Sequence, residues 1–463
     1  MFKVSKYSPF LSMMKRVFTA YPTLLPIFLL TLAACKPENE PTTTPFDHEL
    51  QQALVRAGGD LNFFKLPAPT DYASIPQDPK NPLTPQKVEL GKFLYHETGL
   101  AVNPTRKAGQ LTYSCASCHH VDAGFQACVP QGIGEGGVGF GKFGENRVKD
   151  AQYKEHELDV QPIRSPSVLH VAYQPNMLWN GQFGATGVNI GTEASWTPGT
   201  PRATNRMGFE GVETQAIAGM GVHRLAPNAA LFRNSTYRQL FERAYPTQTE
   251  PNRYTVEHIA LAIAAYERTL LATEAPFQQW LKGRKGALTD NQKQGALLFF
   301  GKANCVACHT GPALNSMAFY ALGMPDLTGS RTHNIHPGQP EHLGRGGFTG
   351  KTHELFQFKV PQLYNLRDSP FMGHGGNFRT VREVITYKNR AIPANPRVPQ
   401  QQLAREFVPL RLSAEEINQL TDFVENGLHD PNLKRYTPTL TPSGHCFPNN
   451  DLQTRVDISW FGH

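Results

Sequence analysis

Cys115-Ala116-Ser117-Cys118-His119 and Cys305-Val306-Ala307-Cys308-His309 are two copies of the motif C-x-x-C-H, and they decide the fold. Two thiols at this spacing can each form a thioether bond to a haem vinyl group, and the adjacent histidine can ligate the iron. The alternatives are a Cys₄ zinc site or a redox dithiol, which would need a βαβ context. The trailing histidines and the wide separation of the motifs favour two covalently bound c-type haems.

A similar stretch of sequence precedes each motif. Residues 88–95 and 295–302 both have the pattern of a short amphipathic helix that leads into the C-x-x-C-H turn. Two further helices are predicted, one by Ile259, Ile263, Tyr266 and Leu270 on a single helical face, and one by the capping box of residues 413–416. The chain therefore reads as two cytochrome-like units.

The composition indicates long irregular connections between these helices. The chain has 463 residues with 40 Gly and 37 Pro, which concentrate in segments 130–147, 181–211 and 325–350. We therefore expect a mainly α fold with two cytochrome c-like helical haem domains and long irregular loops. The net charge of +7 comes without a basic run, so nothing indicates nucleic-acid binding.

The N-terminal residues predict export from the cytoplasm. Lys15 and Arg16 precede an apolar stretch, residues 24–32, which is followed by Ala33-Ala34-Cys35. This end resembles a bacterial lipobox, so we expect Cys35 to carry a lipid at the periplasmic face of the membrane. The alternative is an ordinary secretory signal with an incidental cysteine, which would leave the protein in the periplasm.

Two of the seven cysteines remain after the four haem cysteines and Cys35 are assigned. Cys128 and Cys446 could pair in an oxidising compartment, and they could equally be two unlinked thiols. We favour a disulfide.

The chain resembles the bacterial dihaem cytochrome c peroxidase and MauG family over roughly residues 85–430. The resemblance rests on the order and spacing of the two haem motifs and of five further segments, namely 89–92, 164–169, 178–181, 299–304 and 358–366. It implies that the haem under His119 reacts with peroxide and that the haem under His309 transfers electrons. It also implies that Trp179 relays electrons between the haems; the alternative is a buried core aromatic.

The sequence departs from the family pattern around the first haem. Family peroxidases that need reductive activation carry a removable histidine where this chain has Gly134-Glu135-Gly136, so the first haem is expected to be open without activation. Gln215 matches a family glutamine, but the expected glutamate is missing and His223 and Arg224 stand near its place. We expect His223 to act as acid and base and Arg224 as an electrostatic helper; the alternative is two surface residues.

The second haem has three candidates for its distal ligand. The family supplies a Met or Tyr at a position where this chain has Tyr387 beside Lys388. Tyr387 is the preferred ligand, with Lys388 and Met372 as alternatives. Family members also hold a calcium ion with an asparagine where this chain has Ser165, so the resemblance implies a weakened calcium site.

These observations predict a dihaem peroxidase that reduces hydrogen peroxide with electrons from a small periplasmic cytochrome c or cupredoxin. The alternatives are a MauG-like enzyme that oxidises a protein or organic substrate through high-valent iron, and a non-catalytic electron-transfer cytochrome; a homodimer is left open. The expected organisation is a lipoprotein signal peptide (1–35), a tether and extension (36–80), an N-terminal peroxidatic haem domain (81–275) and a C-terminal electron-transfer haem domain (276–463).

Overall fold

The computed structural model describes residues 43–460, and its regular elements are mainly short α-helices. The predicted signal peptide and Cys35 lie outside the described residues. The helices are α1 (Pro45–Gly58), α2 (Pro85–His96), α3 (Gly211–Val222), α4 (Ala229–Phe232), α5 (Ser235–Ala244), α6 (Val256–Arg268), α7 (Pro276–Leu281), α8 (Asp290–Phe300), α9 (Gly344–Thr349), α10 (Val381–Arg390), α11 (Ala414–Asp422) and α12 (Leu452–Asp457). Among residues 43–460, no helix is both long and apolar enough to span a bilayer.

The strands are short and form two antiparallel ribbons. Strand β1 (Gly137–Val138) pairs with β2 (Val148–Lys149), and β3 (Phe319–Tyr320) pairs with β4 (Phe358–Lys359). Most of the remaining backbone forms 3₁₀ turns and irregular loops, including much of the glycine- and proline-rich segments. The expectation of a mainly α fold with long loops is confirmed.

The same helix pair occurs once beside each haem motif. Helix α2 crosses α6 at Gly91, where an added Cβ would lie 1.8 Å from the carbonyl oxygen of Ala262. Helix α8 crosses α11 at Gly295, where an added Cβ would lie 2.0 Å from the carbonyl oxygen of Gln419. A residue without a side chain is needed at both crossings because the two backbones touch there. This repeated pair gives each haem motif a cytochrome c-like helical frame.

Local capping signals explain where these helices begin. Thr84 precedes Pro85 and its side chain accepts a hydrogen bond from the backbone of Lys87. Ser413 and Glu416 form the predicted capping box at the start of α11. Beyond Asp422 the backbone continues as a π-helical turn, Phe423–Gly427, before it leaves the helix.

The buried apolar side chains form two clusters, one around each helix pair. The first contains Leu90 and Ile263, and the second contains Phe299 and Leu420. Helix α1 packs against the second cluster, where Asp47 accepts hydrogen bonds from Trp280 Nε1 and Lys293 Nζ. Conversely, Leu433 and Tyr436 from the C-terminal region belong to the first cluster. The described residues lie in one compact unit, and the domain boundaries stay a prediction.

The structure corrects the expectation of a Cys128–Cys446 disulfide, because both residues are free thiols. Cys128 lies near charged groups that include Glu145 and Arg164, whereas the backbone of fully buried Cys446 donates to Asn450. The sequence shows that two cysteines remain unassigned, but it does not show whether Cys128 and Cys446 come close enough to pair.

Candidate haem sites

Both C-x-x-C-H motifs fold into the same short turn. Cys115–Ser117 and Cys305–Ala307 are 3₁₀ turns, and the backbone N–H of the following histidine donates to the first cysteine carbonyl in each. The N···O distances are 3.2 Å for His119 and 2.9 Å for His309. The turn therefore presents two thiols and one imidazole together, which is the donor set that covalent haem attachment requires.

Two backbone carbonyl groups hold the imidazole of His309 by its Nδ1 atom, so it could ligate a haem iron through its other nitrogen. Its Nδ1 lies 3.1 Å from the carbonyl oxygen of Pro361 and 3.2 Å from that of Leu314. Burial lowers the pKa of His309 to about 4, so the ring is neutral and Nδ1 carries the donated proton. The Nε2 lone pair is thus left to bind iron.

His119 has the corresponding arrangement in the first unit. Its buried Nδ1 faces the carbonyl groups of Phe125 and Pro166 but completes no hydrogen bond of good geometry. Burial, with a contribution from the nearby charge of His223, lowers the pKa of His119 to about 4. The imidazole is therefore neutral, and its buried Nδ1 has carbonyl oxygens nearby. These features suit a histidine that would bind a metal through Nε2.

A cavity of about 500 Å³ lies against the second motif. Cys305, Cys308 and His309 form part of its wall, and most of the remaining wall is apolar. A large apolar space beside two thiols and a free imidazole nitrogen fits a covalently bound haem. Within residues 43–460, no three His, Cys, Asp or Glu side chains converge on a point that could hold a metal ion.

The predicted distal residues of the first haem lie on one face of α3. Gln215, Gly219 and His223 are spaced by four residues, and a Cβ added at Gly219 would be 3.7 Å from both Gln215 Nε2 and His223 Cδ2. Gly219 therefore leaves an open gap between an amide and an imidazole. The charge of His223 acts on His119, so the end of α3 lies near the first haem motif.

Two buried carboxylates hold the neighbouring residues His223 and Arg224. His223 Nδ1 lies 2.8 Å from Asp159 Oδ2, and Arg224 Nη1 donates to Glu135 Oε2 at 2.6 Å. The carboxylates arrive together because the backbones of Gly134 and Glu135 pair with that of Asp159. Burial lowers the pKa of His223, but the Asp159 carboxylate raises it by more, so the net shift is upward.

Sequence reasoning did not identify Asp159 or Glu135 as parts of this site. The segment Gly134-Glu135-Gly136 was of interest only because it lacks a histidine, and Asp159 belongs to no motif. The one pattern that could have indicated Glu135 from the sequence is a carboxylate flanked by two glycines in a loop. Gly134 has a specific role here, because a Cβ added to it would lie 2.2 Å from Asp159 Oδ2.

Trp179 contacts the segments that support both proximal histidines. Its Nε1 donates to the carbonyl oxygen of Arg164 at 2.8 Å, two residues before Pro166. Its own carbonyl oxygen accepts from the backbone of Lys359 at 2.7 Å, two residues before Pro361. The half-buried indole also lines the large cavity beside the second motif, and its role as a relay stays a prediction.

Arg164 connects segments that follow the first haem motif to one that follows the second, through neutral oxygen atoms. Its guanidinium is 2% exposed and donates to the carbonyl oxygens of Ala127 and Val129 and to the side chains of Gln126 and Ser369. Ser369 follows the second haem motif in the sequence, and the other acceptors follow the first motif. Burial lowers the pKa of Arg164 to about 9, so the guanidinium stays charged at neutral pH.

The structure separates the three candidates for the second haem's distal ligand. Lys388 and Met372 line the cavity beside His309, and Tyr387 does not. The Tyr387 hydroxyl instead donates to the carbonyl oxygen of Leu322 at 2.6 Å. This placement differs from the preference for Tyr387, because a backbone carbonyl holds the Tyr387 hydroxyl outside the cavity. The implied calcium ion stays a prediction.

The comparisons with known proteins agree with this geometry. The family model described as di-haem cytochrome c peroxidase matches residues 85–286. Methylamine utilization protein MauG of Methylorubrum extorquens is 27% identical over 361 residues, which cover 77% of this chain and 82% of that protein. Cytochrome c551 peroxidase of Nitrosomonas europaea is 25% identical over 384 residues, which cover 82% of this chain and 91% of that protein.

A solved structure supports the fold. The crystal structure of a MauG-like protein associated with microbial copper homeostasis matches 80% of this chain and 95% of its own, with a TM-score of 0.55 at 23% identity. The two attachment turns and these matches agree on a dihaem c-type protein. The chain is thus similar to dihaem cytochrome c peroxidases and MauG proteins over most of its length.

Proposed function

We propose that this protein reduces hydrogen peroxide to water at the haem under His119, with electrons that enter through the haem under His309. The overall reaction consumes one peroxide, two electrons and two protons and releases two water molecules. The observation that carries the proposal is the α3 face, where Gln215 and His223 flank the gap at Gly219 and His223 is bound to Asp159. The haem iron supplies the peroxide-binding site and the electron transfer.

His223 is the residue best arranged to move the peroxide protons. Its Nδ1 is bound to Asp159, so Nε2 remains to take a proton from one peroxide oxygen and to return it to the oxygen that leaves as water. The carboxylate keeps the ring oriented and stabilises its charged form, as an acid–base histidine requires. The Gln215 amide has no hydrogen-bond partner within residues 43–460 and is available to orient peroxide.

Arg224 serves this site chiefly as a positioning residue. Its charge is paired with Glu135, which is completely buried and also accepts from Tyr153 and from the backbone of Arg106. The ion pair ties the loop of residues 134–136 to the end of α3. Because the Glu135 carboxylate already neutralises much of the guanidinium charge, Arg224 should stabilise the departing oxygen less than an unpaired arginine would.

The test is a stopped-flow experiment in which peroxide is mixed with the purified dihaem protein, with and without a reduced donor. We expect rapid optical changes and sustained oxidation of the donor in the wild type, and a much slower reaction in His223→Ala. His353→Ala, an exposed histidine of the second unit, is the matched control. Equal peroxide rates in His223→Ala and the wild type would remove the proton-transfer role.

A MauG-like oxidation of a protein or organic substrate is the second candidate. It is favoured by the loop of residues 134–136, which brings Glu135 to Arg224 and has no histidine. The same experiment separates the two functions. A long-lived oxidised spectrum without donor turnover would favour the MauG-like activity, and the absence of any optical change would favour an electron carrier.

We also propose that the protein acts in the periplasm, where a small cytochrome c or cupredoxin supplies its electrons. The basic and apolar N-terminal pattern and the cysteine at position 35 support this location and a lipid anchor. Growth with a radiolabelled fatty acid tests the anchor. We expect label on the wild type and none on Cys35→Ala, and an unlabelled wild type would reject the anchor.

A further inference from the structure

One face of α10 forms part of the cavity wall beside the second haem motif. Val381, Val384, Ile385 and Lys388 all line this cavity, and their spacing of three, one and three residues follows a single helical stripe. Three members of the stripe are apolar and the last is a lysine. The end of the stripe therefore brings an amine into the space that also contains His309.

The amine of Lys388 lies close to the residues that would hold the haem. Its charge lowers the pKa of His309 and acts on the thiols of Cys305 and Cys308. Among residues 43–460 it makes no hydrogen bond and no ion pair, and the ring centroid of Phe407 lies 5.5 Å from Nζ. The Glu406 carboxylate also lines the cavity and acts on Lys388 by its charge, but the two side chains form no ion pair. A charged amine without a bound acceptor in a largely apolar cavity is costly, and coordination to a metal removes that cost.

The other candidates are less well arranged for coordination. The Tyr387 hydroxyl is already bound to Leu322 and lies outside the cavity. Met372 lines the cavity but is 9% exposed, packs within the second apolar cluster and has its backbone paired with Phe378. Met324 also lines the cavity and lies against Gly373. Neither methionine belongs to the α10 stripe.

We propose that Lys388 Nζ is the distal ligand of the haem iron at the second motif, on the face opposite His309. The amine releases one proton to solvent and donates its lone pair to iron, and no electron is transferred. This assignment depends on haem attachment at Cys305 and Cys308 but not on which haem meets peroxide. An amine ligand should also give the second haem a lower potential than a thioether ligand would, since a Met ligand raises it.

The test uses the resting ferric holoprotein without peroxide, studied by optical, near-infrared and electron paramagnetic resonance spectroscopy. The wild type should show a low-spin second haem without the near-infrared band typical of His/Met ligation. Lys388→Ala should lose that low-spin spectrum, and Lys388→Met should gain the His/Met band together with a higher potential. Tyr387→Phe, Met372→Leu and Met324→Leu are the controls and should keep the wild-type spectrum.

The outcomes that overturn the assignment are specific. An unchanged low-spin spectrum in Lys388→Ala would reject it, as would a His/Met band in the wild type or its loss in either methionine variant. A pyridine haemochrome assay should report two haems in every variant, and the spectrum of the first haem should not change. If Lys388→Ala is not recovered with two haems, the spectrum of Lys388→Met decides alone. Failure of the peroxidase proposal would leave these resting spectra unaffected.

Discussion

His223 Nδ1 lies 2.8 Å from the Oδ2 atom of Asp159, and this contact ties the end of α3 to the loop beyond β2. Asp159 is almost completely buried, and His223 is its side-chain partner within residues 43–460. The pair resembles an acid–base histidine held by a carboxylate. It therefore predicts how the reaction with peroxide should depend on pH.

Asp159→Asn should move the pH profile of the peroxide reaction to lower pH. Burial lowers the pKa of His223 and the Asp159 carboxylate raises it by more, so removal of the carboxylate should lower that pKa. The neutral imidazole that accepts the first proton would then persist to lower pH. Stopped-flow rates across a pH series measure this shift, with Asp122→Asn as a control that loses a more exposed ion pair. An unmoved profile would contradict the role of Asp159.

Trp179→Phe should slow electron transfer between the haems by about 10-fold, which corresponds to roughly 1.4 kcal/mol in the barrier. The indole Nε1 and the Trp179 carbonyl connect the segments that support the two proximal histidines, and phenylalanine lacks the Nε1–H donor. Rapid reduction of one haem followed by optical detection of the other measures the rate. Trp196→Phe is the control, because its Nε1 donates to Thr192 away from this path. Equal rates of electron transfer in the wild type and both variants would contradict the role of Trp179 as a relay.

Arg164→Met should lower the free energy of unfolding by about 3 kcal/mol or more, because it leaves several buried oxygen atoms without a donor. The control is Arg331→Met, which removes a more exposed guanidinium that also donates to backbone carbonyls. Denaturant unfolding of the two variants compares the losses. If both variants lost a similar, small amount of unfolding free energy, the stabilising role of Arg164 would be contradicted.

Glu267→Gln should stabilise the protein increasingly as the pH rises from about 5 to 8. Burial, with a contribution from Glu213, raises the pKa of Glu267 to about 8, so the folded protein keeps a proton that the unfolded chain loses above its ordinary pKa of 4.5. Stability is therefore lost between those two pH values, and a neutral amide avoids the loss. Unfolding at pH 5 and pH 8 tests this, with the exposed Glu89→Gln as control. A pH-independent difference would contradict it.

Gly91→Ala should destabilise the fold by about 1–3 kcal/mol, because the added methyl group would overlap the backbone of Ala262 and push α2 away from α6. Gly221→Ala is the matched control on a helix, since an added Cβ there meets no atom within 4 Å. Thermal unfolding should show a lower midpoint for the first variant and an equal or higher one for the second. The reverse order would refute the close crossing of the two helices.

Short-range patterns were sufficient for most of the fold. The C-x-x-C-H spacing directly specifies a turn, and the capping residues Ser413 and Glu416 act on the helix that they begin. The positions of α2, α6, α8 and α11 could therefore be predicted from neighbouring residues alone. The two crossings at Gly91 and Gly295 could not, because they depend on which helices meet.

The sequence by itself determined two haem-attachment turns, a mainly helical chain with long loops and the stretch that contains His223 and Arg224. Only the tertiary structure decided that Asp159 and Glu135 bind these two residues, that Lys388 but not Tyr387 lines the cavity beside His309, and that Cys128 and Cys446 form no disulfide. The physical reason is the range of the interactions involved. Covalent spacing and helix capping act within a few residues, whereas the partner of a buried charge is set by loops that approach from distant parts of the chain.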